Sequence, residues 1–197
     1  MCHNKISKED YMKKLFFTIA VVFFTIQLFA SNPVKQGNFS VSMPVINYYS
    51  LGGDLYEYDG DRQTGWEIGM GNYQFGVEWF VIDNLAIGSG FSYLKVEAGN
   101  HELTEKSIVP AVTYYLNIDD KIIPYAGIGF GYGVAESDGV DSTYTSIMFK
   151  LGGALMLGDN IAGFGELFYS LDSEDFNSQG AEDGNAMGIS LGFKAFF

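Results

Sequence analysis

Cysteine is almost absent from the chain: Cys2 is the single thiol among 197 residues, and there are four prolines. One thiol excludes an intramolecular disulfide framework and any paired-cysteine zinc or redox site. Basic residues are also scarce, 11 Lys and Arg against 24 Asp and Glu, for a formal net charge of −13. That balance removes the cationic footprint nucleic-acid binding needs, so no nucleic-acid partner is expected. Only 18% of the residues are charged, and the Ala, Leu, Glu and Lys blocks of long helices are missing. No GxSxG, HExxH or phosphate-loop motif occurs. Glycine is abundant, with 25 residues, and aromatics make up 16% of a chain that is 47% hydrophobic. The hydrophobic content excludes disorder, and glycine with aromatics points to β-structure in one domain.

The first thirty residues read as an address. Met12-Lys13-Lys14 precede an uncharged run over 15–29, followed by Ala30-Ser31-Asn32-Pro33. A basic start, an apolar centre and a small residue before a turn define a secretory signal, expected to be cleaved after Ala30. The alternative is an uncleaved helical anchor, for which the run falls short of the roughly 20 residues of a membrane-spanning helix. The expected organisation is a signal with an N-terminal extension over 1–30, a short lead over 31–36 and one domain over 37–197. Without residues 1–30 the chain keeps 22 acidic and 7 basic residues, no cysteine and one histidine, His101.

Beyond the signal the sequence alternates. Met187, Ile189, Leu191, Phe193, Ala195 and Phe197 are apolar, and the residues between them are small or polar except Phe196. Similar alternation runs through about 37–48, 65–81, 85–96, 106–118, 122–134, 144–157 and 161–171, so eight strands are expected, each long enough to cross a bilayer when tilted. Ile82-Asp83-Asn84, Asp119-Asp120-Lys121 and Gly158-Asp159-Asn160 read as three-residue links closed by a left-handed residue. These links pair Val81 with Leu85 and Leu157 with Ile161, which keeps like faces together. The longer segments 49–64, 97–105, 135–143 and 172–184 read as loops. In the second strand the parity changes between Met70 and Tyr73, and a bulge at Gly71-Asn72 restores it.

A leading signal, the strand starts Asp83-Asn84-Leu85-Ala86 and Asp159-Asn160-Ile161-Ala162, the glycine-alternating Tyr125-Ala126-Gly127-Ile128-Gly129-Phe130-Gly131-Tyr132-Gly133 and the terminal Gly192-Phe193-Lys194-Ala195-Phe196-Phe197 together resemble the outer-membrane protein β-barrel domain family. These are small eight-stranded barrels of the OmpA and OmpX type. The resemblance implies an all-β, eight-stranded antiparallel up-and-down transmembrane barrel with short periplasmic turns and longer outer loops, inserted as a monomer in a bacterial outer membrane. It further implies contact with outer-membrane lipids and lipopolysaccharide. Ile189, Leu191, Phe193 and Phe197 resemble the signal by which the barrel-assembly machinery recognises its clients. A fold and a location transfer in this way, but no active site does. A soluble lipocalin-like barrel is the rival reading of the alternation.

The apolar parity sends Phe75, Val77, Leu85, Ile87, Phe91, Ile108, Val112, Ile128, Phe130, Phe149, Leu151, Leu167, Leu191 and Phe193 toward lipid. Trp66, Tyr93, Tyr132 and Tyr169 are expected at one rim, with Trp79, Tyr114 and Phe197 at the other. The inward parity collects Glu78, Lys150, Glu166 and Lys194 in a lumen charge network, with Lys150 and Glu166 as diagonal neighbours within ion-pair reach. In a lumen only wide enough for side chains such charges must pair, so a filled lumen is expected; a wide pore is excluded because the roughly 16 or more strands of a porin need more residues than remain after the signal. Of the 22 acidic residues of the exported chain, 15 fall in or beside the expected loops, from Asp54 to Asp183. Those loops are the candidate surface for an extracellular ligand; Glu57 and Asp59-Gly60-Asp61 are a weaker calcium candidate. No catalytic residue, metal ligand or cofactor site is assigned. The expected role is structural or surface-interacting, the alternatives being a narrow gated channel or small-solute pore, and a lipid-modifying enzyme that would have to use His101 beside Glu102, with Ser107 as a partner.

Overall fold

The computed structural model describes residues 33–55, 63–68, 73–98, 101–116, 121–137, 140–176 and 180–197. The signal expected over 1–30 therefore lies outside the described residues. Nine strands follow in order: β1 (Phe39–Gly52), β2 (Gln63–Ile68), β3 (Tyr73–Ile82), β4 (Leu85–Ala98), β5 (His101–Tyr115), β6 (Ile122–Ser137), β7 (Val140–Met156), β8 (Ile161–Phe176) and β9 (Gly180–Phe196). All pair antiparallel in one sheet, and β1 pairs with β9 from Ser40↔Phe196 to Gly52↔Asn185. That last ladder closes the sheet into a barrel, and among the described residues β2 pairs on one side only, with β1. β2 and β3 both pair with β1 along the same side, so they are two halves of one stave and the barrel has eight.

The expected tight links stand at the end of the barrel that holds Phe197, called here the terminal end. Leu157 N–H donates to the Ile161 carbonyl at 2.8 Å, as a three-residue link over 158–160 requires. In the first link Phe80 pairs with Ala86 in the expected register, but Ile82, not Val81, then faces Leu85, and the turn tightens to Asp83-Asn84. Asn84 is the left-handed residue of that turn, at φ 68°. Most of the link over 119–121 lies outside the described residues.

The parity change expected in the second stave is larger than one bulged residue. Three residues separate Ser42 from Ile46 on β1, whereas seven separate their partners Gly76 and Ile68 on the facing stave. Gly71-Asn72 lies outside the described residues within that interval. β1 carries a bulge of its own between Pro44 and Ile46 where it pairs with β9, and this moves the outward face from Met43 to Ile46. Each stave thus switches parity once, and Tyr48 and Trp66 still stand opposite each other.

At the other, far end the ladders run on into segments expected as loops. Glu97↔Glu102, Glu136↔Asp141 and Glu174↔Glu182 are cross-strand partners, so the connections there narrow to 99–100, 138–139 and 177–179. The carboxylates of 172–176 and 182–183 therefore sit on paired strand extensions. Glu57, Asp59, Asp61 and Asp138 lie outside the described residues.

The outer surface is an apolar band. Phe75, Ile87, Ile108, Val112, Ile128, Phe130, Phe149, Leu151, Leu167, Leu191 and Phe193 are all exposed, and Val77, Leu85 and Phe91 are partly so. Trp79 stacks on Phe39 at 6.3 Å near the terminal end beside exposed Tyr114, and Tyr93, Tyr132 and Tyr169 ring the far side. A soluble protein would bury such surface, whereas a bilayer is a solvent for it, with the aromatics at its two interfaces. The Trp66 side chain lies outside those described.

Inside, glycines make room for large neighbours. Tyr125 faces Gly152, Tyr144 faces Gly133, Phe164 faces Gly192 and Phe168 faces Gly188, each as a direct cross-strand pair, and each ring lies where a glycine Cβ would stand. The glycine alternation of β6 is thus the seat for side chains leaning over from β7 and β5.

Candidate functional site

The lumen is closed at its terminal end by an apolar layer. Phe80, Tyr115, Tyr125 and Phe196 pack ring to ring there, Phe80 and Tyr115 at 5.1 Å and Tyr115 and Tyr125 at 5.3 Å. Phe196, the residue that breaks the alternation of the last strand, points inward and is fully buried in this layer. Val34 fills its underside. The lead segment is held there by Asn84 N–H donating to the Val34 carbonyl at 2.8 Å and Gly37 N–H donating to the Phe80 carbonyl at 2.8 Å.

Directly above sits Glu78, buried on β3. Its Oε2 accepts from Ser40 Oγ at 2.9 Å, from Lys194 Nζ at 2.8 Å and from the Tyr115 hydroxyl. Its Oε1 accepts from Thr113 Oγ1 at 2.8 Å and from Lys150 Nζ at 3.3 Å. Lys194 Nζ also donates to the Tyr115 oxygen at 2.5 Å and lies about equally close, 5.0 and 4.9 Å, to the Tyr115 and Tyr125 ring centroids. One carboxylate therefore gathers partners from β1, β5, β7 and β9, and five donors with two ion pairs compensate its loss of water.

Three of the four expected network residues meet here, and the pairing differs from expectation. Lys150 and Glu166 are diagonal neighbours as expected, since Gly152 faces Glu166 and Lys150 faces Phe168. The Lys150 ammonium nevertheless crosses the lumen to Glu78. Its cross-strand partner on β6 is Gly127, and the Lys150 stem lies over it, with Cε 2.6 Å from where a Cβ would stand. The empty place over Gly127 draws the chain away from β8. Glu166 makes no ion pair among the described residues. Ser40, Thr113, Tyr115 and Tyr125 are not singled out for this network in the sequence, and only the closed barrel shows that they converge on the site.

Above Glu78 the lumen is hollow, which corrects the expectation that side chains fill it. A cavity of about 520 Å³ extends from Glu78, Lys194 and Tyr125 up to Leu51, Leu94 and Glu105. Its space comes from small inward residues on one wall, among them Gly76, Gly90, Ser92, Ser107, Ala111 and Gly129. Tyr49, Met148, Phe164 and Phe168 form the larger, mostly apolar remainder. Glu105, expected in a loop, lines this cavity and accepts from the Tyr144 hydroxyl at 2.8 Å.

The remaining expected positions are on β5 and β9. His101 and Glu102 begin β5, and their side chains lie outside those described; Ser107 is within hydrogen-bond reach of Ser92 at 2.5 Å on the lumen side. Ile189, Leu191 and Phe193 form an exposed apolar row on β9, and Phe197 exchanges main-chain hydrogen bonds of 2.9 and 2.8 Å with Phe39.

No protein-family model matches the sequence, and no curated protein matches it. Solved structures do share the fold. Neisserial surface protein A aligns with a TM-score of 0.58 at 14% identity, over 80% of this chain and 95% of that one. The outer membrane protein OprG from Pseudomonas aeruginosa aligns at 0.51 and 13%, over 83% and 97%. Outer Membrane Protein W of E. coli aligns at 0.51 and 10%, over 83% and 99%. At such identities the likeness is one of fold: this chain is a closed eight-stranded antiparallel barrel, built like these small outer-membrane barrels.

Proposed function

We propose that this protein is a monomeric barrel of a bacterial outer membrane, exported by a signal cleaved after Ala30, with a structural or surface-interaction role at its far end. The observation that carries the location is the continuous apolar band with aromatics at both margins around a closed sheet. Such a surface is stable in lipid and aggregates in water. The paired acidic extensions of β8 and β9, with Asp172, Glu174, Glu182 and Asp183, support a role for the far end in meeting an extracellular ligand or lipopolysaccharide. The layer of Phe80, Tyr115, Tyr125 and Phe196 supports a barrel that does not conduct.

The test is planar-bilayer conductance of the purified protein, after a heat-dependent shift in gel mobility has shown that the barrel is folded. A silent folded barrel is the expected result. Discrete openings that vanish in Lys150→Ala would overturn it in favour of a narrow gated channel. Catalysis is not part of the proposal; a change in lipid A mass caused by His101→Ala would overturn that reading.

A further inference from the structure

The two glutamates of the lower lumen each stand beside a tyrosine, but only one pair is complete. At Glu78, Lys194 Nζ donates to the Tyr115 oxygen and the Tyr115 hydroxyl donates to the carboxylate, so carboxylate, phenol and ammonium close a triangle. One step toward the cavity, Tyr125 lies across Gly152 with its hydroxyl 2.7 Å from where a Cβ would stand, and Glu166 faces Gly152 on β8. The Tyr125 hydroxyl is enclosed and has no hydrogen-bond partner within 3.5 Å among the described residues, Glu166 being the carboxylate placed to interact with it; the residue is 1% exposed, and both it and Glu166 line the cavity. Both ammonium groups of the lumen are committed to Glu78. Lys194 and Lys150 lie over the Tyr125 ring, at 4.9 and 5.8 Å from its centroid, but among the described residues neither ammonium donates to Glu166 or to the Tyr125 oxygen.

We propose that the lumen cavity is a binding site for a small organic cation, a primary ammonium on a compact apolar body, with the ammonium taken by Glu166 and the Tyr125 oxygen. The half-buried Glu166 turns to receive it while Phe164, Phe168, Met148 and Tyr49 enclose the apolar part. Size fits, since sites for small molecules hold about 300 to 1,000 Å³ and this cavity holds about 520 Å³. Charge fits as well. Glu78, Glu105 and Glu166 outnumber Lys150 and Lys194 among the lining residues, and the acidic extensions above raise the local concentration of cations. Aromatic rings with a carboxylate are the usual seat of an ammonium ligand. The inference does not rest on the surface role proposed above.

The experiment is isothermal titration of benzylammonium, benzyl alcohol and benzoate into the protein purified in detergent and shown to be folded by its heat shift. One saturable site for benzylammonium is expected, at least tenfold tighter than for the neutral alcohol. Glu166→Gln should weaken it at least tenfold. Gly90→Leu, which leaves Glu166 untouched, should abolish binding: a Cβ at Gly90 meets only Val109, at 3.7 Å, so the longer side chain extends into the cavity. Equal affinity for the ammonium and the alcohol, or binding unchanged in either folded variant, would overturn the proposal. So would a preference for benzoate, which would make the floor an anion site at Lys150. Should Glu166→Gln not fold, the three-ligand series on the native protein and Gly90→Leu still decide.

Discussion

Glu78 and Lys194 form a buried ion pair of 2.8 Å between β3 and β9, the two strands that flank β1, across 116 residues of sequence. The pair therefore bridges the seam where the barrel closes. With Lys150 reaching the same carboxylate from the opposite wall, Glu78 ties the staves together through the lumen.

Removing that carboxylate strands two ammonium groups. Glu78→Gln should cost about 3 to 5 kcal/mol, the usual loss when one partner of a buried pair is deleted. The double variant Glu78→Leu with Lys194→Met should lose less than the single one, because no unpaired charge remains at the seam. Equilibrium unfolding in denaturant, followed by the heat-sensitive gel band, checks both. A Glu78→Gln barrel as stable as the native one would show that the network is ornamental.

The floor of the lumen should open when its rings are cut. Phe80→Ala with Phe196→Ala removes two fully buried side chains from the layer that closes the lumen above Val34. Each large-to-small change costs about 3 to 5 kcal/mol where the site cannot collapse. Bilayer recordings of the folded double variant should show small steps that the native barrel lacks. Silence in both would place a further seal elsewhere along the lumen.

The glycine seats predict a directional effect. Gly152→Leu puts a side chain where the Tyr125 ring lies, with its Cζ 2.6 Å from the new Cβ, so the ring must leave. The expected loss is about 1 to 3 kcal/mol from overpacking. Gly153→Leu, next in sequence and with nothing within 4 Å of its Cβ, should be nearly neutral. Unfolding midpoints of the two variants measure the difference directly.

Assembly and stability should separate at the last residue. Phe197 joins Phe39 through main-chain hydrogen bonds, which Phe197→Ala retains. Refolding in detergent should therefore be close to native. If Ile189, Leu191, Phe193 and Phe197 form the assembly signal, the amount of heat-shifted barrel in cell envelopes should fall several-fold. Equal amounts of variant and native barrel in envelopes would remove Phe197 from that role.

Much of the barrel was legible in the sequence because its causes are local. A strand turns successive side chains to opposite faces, so parity alone assigned Phe130, Leu151 and Leu167 to the outside and Glu78, Lys150, Glu166 and Lys194 to the inside. Asp and Asn at tight links set the registers of the hairpins, including Leu157 against Ile161. The strand ends at the far side were not legible, since polar residues such as Glu136 and Asp141 extend a ladder as readily as they form a loop. The break between β2 and β3 was foreseen as one residue and spans four more than its partner, because parity counts only odd and even.

The sequence by itself determined the strands, their faces and the tight turns, since each depends on neighbours along the chain or across one ladder. Only the tertiary structure decided that Lys150 pairs with Glu78 and not with Glu166, that Phe196 seals the floor with Phe80, and that a cavity remains above them. These contacts cross the lumen between staves that are not neighbours in the sheet. Closure of the barrel alone sets which inward side chains meet and how much space they leave.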